Sequence, residues 1–188
     1  MPIDGETGNA RDHMPRERSY LRYQLYRSQA RKQASIAKAL LQLPAGQDLS
    51  KVRFEPIDAI ALNAFELWEN PLFCWREVAA WKSREPLSLD IAIWFEEQLC
   101  GLCFVNPNKS RQRIRIVRLE GRPGDSHPLK NRIGTLAMMV IDEFAQIIGS
   151  NFIEVQEPMQ GAIPVYTKLG FKFDLEGRLV LAVESNVS

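Results

Sequence analysis

The sequence predicts an α/β protein of the α+β kind, with a mixed, mostly antiparallel central sheet flanked by helices and a helical extension at its N-terminus. Three observations predict it. Three consecutive β-patterned runs fall between residues 87 and 121 and imply an antiparallel meander. A strand–helix–strand unit follows, which adds helices to the faces of the sheet. A segment with neither Pro nor Gly, residues 16–43, precedes the first strand and is rich in helix formers. The chain has 188 residues, enough for one domain with a sizeable core plus an appendage. Residues 1–48 are expected to form the extension and residues 49–188 the domain.

Residues 1–15 are polar with Gly and Pro, and are expected to lack order. In "RERSYLRYQLYRSQARKQASIAKALLQL", Leu21, Leu25, Ile36, Leu40 and Leu43 recur at three- and four-residue spacings or their multiples, the mark of an amphipathic helix. "PAGQD" breaks it. "KVRFEPI" reads as a short strand. "DAIALNAFELWENPLFCWREVAAWKSREP" reads as two helices, capped by Asp58 and split at Asn70-Pro71. "LSLDIAIWF" and "LCGLCFVNP" make a hairpin across "EEQ", and "RQRIRIVRLEG" supplies the third strand. "RIGTLAMMVIDEFAQIIG" is a helix that stops at Gly149. "NFIEVQEP", "MQGAIPVYTKLG", "FKFDLEG" and "RLVLAVES" then read as strand, short helix and two closing strands.

The third strand of the meander switches parity. Ile114 and Ile116 share one face, whereas Val117 and Leu119 occupy the other. Side chains of a strand alternate strictly, so either an extra residue makes a β-bulge near 117 or the strand is buried on both faces.

The charge is unevenly distributed. From Arg16 to Lys38 seven cations face one anion, Glu17, although the whole chain carries only +1. Tyr20, Tyr23 and Tyr26 interleave with Arg18, Arg22 and Arg27. Such a stripe suits RNA, through stacking and phosphate contacts, or else it packs against the protein body or a partner chain. No apolar run approaches the length of a membrane span. "MPIDGETGNARDH" lacks a basic start followed by an apolar stretch, and there are three cysteines, so a cytoplasmic location is expected. Cys100 and Cys103 are three apart on a predicted strand, which aims them at opposite faces and argues against a shared metal. Trp68, Trp75 and Trp81 are expected in the core.

The element order, with "CGLCFV", "RIGTLAMMVIDEFAQIIG" and "AIPVYTKLGF", resembles the GNAT superfamily of N-acetyltransferases over residues 51–184. The resemblance implies an acetyl-CoA-dependent transfer of an acetyl group to an amine of unspecified type, with no metal. It places the diphosphate of the carrier against the loop entering the helix at Gly134. A helix N-terminus presents unpaired N–H groups and the positive end of its dipole. The implied binding residues are Leu119, Gly121, Asn131, Arg132, Ile133, Gly134 and Thr135. Aligned by this helix, Leu129 stands where the family has Gln or Arg, and Arg132 stands where it has the first Gly. Arg132 would either crowd the ligand or pair with a phosphate oxygen.

The same resemblance implies that Tyr166 donates a proton to the leaving thiolate and that Glu120 is the general base. Glu154, Glu157 and His127 are weaker candidates, and Met159 replaces an Asn common in the family. The alternative is a non-catalytic scaffold of this fold whose basic arm, residues 16–43, binds a partner protein or a nucleic acid; in either case the oligomeric state stays open, a homodimer included.

Overall fold

A computed structural model describes residues 13–41 and 48–185. The expectations for residues 1–12, and for the helix break at 44–47, lie outside the described residues. The elements are α1 (His13–Lys38), β1 (Val52–Glu55), α2 (Ala59–Phe65), α3 (Trp75–Ala80), β2 (Leu89–Phe95), β3 (Gln98–Pro107), β4 (Arg113–Gly121), α4 (Ile133–Ile148), β5 (Phe152–Val155), α5 (Ile163–Lys168), β6 (Lys172–Phe173) and β7 (Leu179–Ala182). The strands form one sheet in the order β1-β2-β3-β4-β5-β7-β6. Every pairing is antiparallel except β4 with β5. The sheet is therefore the mixed, mostly antiparallel one that the sequence predicts.

Alternation along the strands makes two cores. Leu89, Ile91 and Ile93 of β2 face α1 and α4, whereas Ala92 and Trp94 face α2 and α3. Trp68 and Trp75 are buried in the second core, and Trp81 packs at its edge against Phe104. Asp58 caps α2 by accepting from the Ala61 N–H at 3.0 Å.

Two bulges interrupt the meander. On β4, Arg118 lies opposite Phe104 and Ile116 opposite Val105, so Val117 is the extra residue. The parity switch in the sequence is thus a bulge. On β3, Gly101 lies opposite Ile93 and Leu99 opposite Trp94, so Cys100 is extra. This second bulge corrects the expectation for the cysteines, because it turns both Cys100 and Cys103 into the α4-side core. Burial raises both thiol pKa values, that of Cys100 to about 11. They are core groups, poorly disposed to form thiolates.

The helix predicted in the extension is present, but the face it buries is the reverse of the expected one. Leu21, Leu25, Ile36 and Leu40 are exposed. The buried face is Tyr23, Arg27, Ala30, Ala34 and Lys38. Small alanines let α1 lie close along α4, and Tyr23 meets Phe144 edge-to-face. The long cations reach main-chain oxygens at the sheet: Lys38 donates to Val52, Arg27 to Pro86 and Ser88, and Arg31 to Asp90. Aliphatic stems cover apolar surface while their charged ends find acceptors. Apolar spacing alone could not identify such a face. Three of the seven cations between Arg16 and Lys38 are thereby turned inward, while Arg18, Arg22 and Lys32 remain exposed.

Asp90 ties this arm to the domain. Its carboxylate pairs with Arg31 at 3.1 Å and Lys82 at 2.9 Å, and accepts from the Ile57 N–H at 2.7 Å. Burial alone would raise its pKa, but Arg31 and Lys82, with the bond from Ile57, hold it below the ordinary carboxylate value. Replacing Asp90 by Asn leaves two cations without their anion and is expected to cost about 3 kcal/mol in urea unfolding. Because the folded pKa is depressed, the stabilisation is complete above the unfolded value of about 3.9. It is lost as pH falls through the folded pKa. The native chain should therefore show an acid destabilisation that Asp90→Asn lacks.

Candidate functional site

β4 and β5 begin parallel and then part. Their last register pair is Ile116 with Val155, after which the Gln156 N–H still donates to the Ile116 carbonyl at 3.0 Å. The Val117 bulge follows at once on β4. On the other side, Glu157 takes a left-handed φ of 46° directly before Pro158. Residues 118–121 stay paired to β3, and residues 117–121 have no strand partner on their β5 side.

The first turn of α4 closes the opening. Gly101 and Gly121 are cross-strand partners, and Ile133 packs into the space that their missing side chains leave. A Cβ on Gly101 would stand 2.7 Å from Ile133 Cγ2, and one on Gly121 would stand 3.3 Å from its Cγ1. One residue on, a Cβ at Gly134 would lie 3.3 Å from Leu169 and 3.7 Å from Val165 of the α5 region. The turn is thus held between the β3–β4 pair and α5. Among the described residues, the N–H groups of Ile133, Gly134 and Thr135 meet no acceptor. Three free donors and the helix dipole point into one cleft.

That cleft has a volume of about 750 Å³. Leu119, Gly121, Asn131, Ile133, Gly134 and Thr135, expected from the sequence, all line it. Arg132 does not. It is the N-cap residue of α4, with its main-chain N–H on the Leu129 carbonyl at 2.9 Å, and its side chain is outside the cleft wall. Leu129 is fully buried in the core and offers the cleft no polar group. The cations of the wall are Arg122, Lys130 and Lys168, with Lys130 paired to Asp125. The sequence reading missed Arg122 and Lys168, although Lys168 is the lysine of "YTKLGF". His127 also lines the wall but is buried, and burial followed by the nearby Arg122 charge lowers its pKa.

A second cavity of about 230 Å³ adjoins the cleft, walled by residues that include Phe73, Arg118, Glu157 and Met159. Leu119, Ala162 and Tyr166 line both spaces. Tyr166 is only 7% exposed and packs edge-to-face on Phe171 at 5.4 Å. Its hydroxyl has no hydrogen-bond partner among the described residues. Burial, with a smaller contribution from Cys103, raises its pKa.

Glu120 is placed differently from the expectation. It is buried and lines neither space. Its carboxylate accepts from the Leu72 N–H at 2.5 Å and from Trp75 Nε1 at 2.8 Å. Trp75 and Phe73 bring their rings edge-to-face, so Glu120 fixes the loop that carries Phe73 to the second cavity. Glu154, on β5, is paired with Arg113 at 3.4 Å and lies outside both spaces.

No protein-family model and no curated protein matches the sequence. Solved structures do match the fold. The ribosomal-protein-S18-alanine N-acetyltransferase of Escherichia coli superposes with a TM-score of 0.53 at 12% identity, over 73% of this chain and 99% of its own. Ard1 of Thermoplasma volcanium gives 0.54 at 12% identity, over 72% and 99%. A Bacillus subtilis acetyltransferase in complex with CoA gives 0.52 at 17% identity, over 71% and 100%. This chain has the GNAT fold. At these identities the likeness concerns the fold, and the chemistry has to be argued from the cleft itself.

Because Ile133 sets the start of α4, Gly101→Ala should destabilise the GNAT-fold chain by about 1–3 kcal/mol. Trimming Ile133 to Ala in the same chain should recover part of that loss. Urea unfolding of the two single variants and the double variant would measure it. Strict additivity would mean that the two residues are not in contact.

Proposed function

We propose that the chain is an acyl-CoA-dependent N-acetyltransferase that moves an acetyl group from acetyl-CoA to an amine by direct transfer. The observation that carries the reading is the junction at Tyr166, where an unpartnered buried phenol faces both the cleft at the α4 N-terminus and the second cavity. The residues of the cleft fit a diphosphate-bearing carrier. The N–H groups of Ile133, Gly134 and Thr135 are unpaired, Gly134 keeps the backbone clear of a Cβ, and Arg122 and Lys168 add positive charge to the wall. Leu119 and Gly121 supply main-chain groups on the β4 side. Acetyl-CoA would contribute the acyl group as a thioester.

The roles of the chain's own residues follow from placement. Tyr166 holds a proton at Oη between the two spaces, suited to a sulfur leaving group. Main-chain donors of β4 beyond the bulge are free on the β5 side and suit a developing oxyanion. Glu157 is the carboxylate that lines the second cavity, and it is the base in this reading, whereas Glu120 positions the Phe73 loop. Neither space contains Cys103, and Arg132 contributes nothing to the cleft wall.

A second reading has one observation in its favour. The exposed stripe of Leu21, Leu25, Ile36 and Leu40 lies on the side of α1 opposite its buried face, as on a helix that receives another chain. A non-catalytic scaffold with a partner on that arm would use this surface and leave Tyr166 idle.

Tyr166→Phe separates the two. It keeps the ring and the edge-to-face contact and removes only the proton. Turnover across a broad amine panel, followed by release of the CoA thiol, should fall about 100-fold in kcat, within the usual range for one acid–base group. Affinity for acetyl-CoA should stay within about threefold. Equal turnover in the two proteins would remove Tyr166 from the chemistry. The pH dependence carries a sign. Because burial raises the phenol pKa, the proton-bearing form persists past the ordinary value of about 10. The native kcat profile should therefore show no alkaline fall from this group below about pH 10.

A further inference from the structure

The second cavity has a chemistry that the acetyl-transfer reading does not use. Arg118 lies in its wall, and its guanidinium sits over the Phe73 ring at 5.0 Å and the Trp81 ring at 5.5 Å. One nitrogen, Nη1, donates to the Val117 carbonyl at 2.7 Å. Among the described residues no carboxylate pairs with it. Arg31, Lys82, Arg113 and Arg178 each pair with a carboxylate, whereas Arg118, like Arg27 and Lys38, has only a main-chain oxygen. Two aromatic faces hold the guanidinium plane, so its unfilled N–H groups keep a fixed direction at low entropic cost. A guanidinium presented in this way matches the planar, two-oxygen geometry of a carboxylate.

The same small wall contains one anion, Glu157. Its left-handed backbone comes directly before a proline, a conformation that proline disfavours in its predecessor. Non-glycine residues kept in such conformations concentrate at functional sites. A cation and an anion on the wall of one cavity of about 230 Å³, beside an unpartnered phenol, form the complement of a small zwitterion. A polyamine would meet the Arg118 charge as a repulsion, and an uncharged amine would leave its N–H groups unpaired.

We infer that the amine acceptor carries a carboxylate and is a small amino-acid-like molecule. Arg118 binds its carboxylate, and Glu157 binds its ammonium. The inference rests on the acetyl-transfer reading and names the acceptor class for it. Glu120 acts here at one remove, since it holds the loop that carries Phe73 and so keeps the stack on Arg118 in place.

The test uses the full chain with acetyl-CoA and the amino acids lysine, tyrosine, histidine and phenylalanine, each beside its decarboxylated amine: cadaverine, tyramine, histamine and phenethylamine. Calorimetric titration with acetyl-CoA comes first, on the native chain and on Arg118→Gln. Both should bind it alike, since Arg118 lies outside the carrier cleft. At least one amino acid should then exceed its decarboxylated amine by about tenfold or more in kcat/KM. Arg118→Gln should erase that preference through KM, with kcat changed less than about threefold. Arg118→Lys, which keeps the charge but not the fork, should restore part of it. Decarboxylated amines turned over as well as the acids, or a preference that survives Arg118→Gln, would overturn the inference and leave acetyl transfer standing. Bound acetyl-CoA with none of the four amino acids accepted would also overturn it. A native chain that does not bind acetyl-CoA would remove both readings.

Discussion

The seat of Ile133 on the paired glycines 101 and 121 is the contact on which the candidate site depends. A strand pair normally presents two Cβ atoms at such a position, and a helix must then ride several ångströms higher. With both absent, the first turn of α4 settles against the main chain of β3 and β4. Gly134 lets α5 close on the same turn from the other side. The N–H groups of residues 133–135 consequently open at the place where β4 and β5 part. The bulge at Val117 makes that parting abrupt, because an inserted residue ends the β4–β5 pairing while β4 continues along β3. A helix terminus and a split in a sheet are each commonplace. Their coincidence at one point is what the glycine pair produces.

Much of this was legible from residue order. The helix at 133–148 follows from periodicity and the bulge near 117 from parity, while the lining residues Leu119, Gly121, Asn131, Ile133, Gly134 and Thr135 were implied by the family resemblance. What was not legible had physical causes. The buried face of α1 is made of alanines and cation stems, which hydropathy counts as small or polar. The facing of Cys100 and Cys103 depended on a second bulge, and Gly-Leu-Cys offers no parity switch by which to see it. The carriers of positive charge in the cleft, Arg122 and Lys168, are brought together only by the approach of α5 to the loop after β4. Glu120 was visible as a carboxylate at the end of a strand. Its commitment to Leu72 and Trp75 needed the fold.

The arm and the domain are joined by polar contacts inside apolar surroundings. Asp90 stands between Arg31, Lys82 and the Ile57 N–H, while Lys38 and Arg27 cap main-chain oxygens of the β1 and β2 region. Such groups stabilise only when every partner is present, so they fix one docking of α1 against α4 and disfavour others. The basic count of the arm is therefore in part an internal affair. The charge left outside is smaller than the sequence suggests, and the apolar stripe beside it faces solvent.

The central claim is that the three free N–H groups at the start of α4 hold a diphosphate. The most direct measurement is the amide NMR shift of Ile133, Gly134 and Thr135 on addition of CoA, with pantetheine, which lacks the diphosphate, as the comparison. The account predicts large downfield changes at these three amides with CoA and small ones with pantetheine. Unmoved amides under saturating CoA, or equal shifts with both compounds, would contradict it.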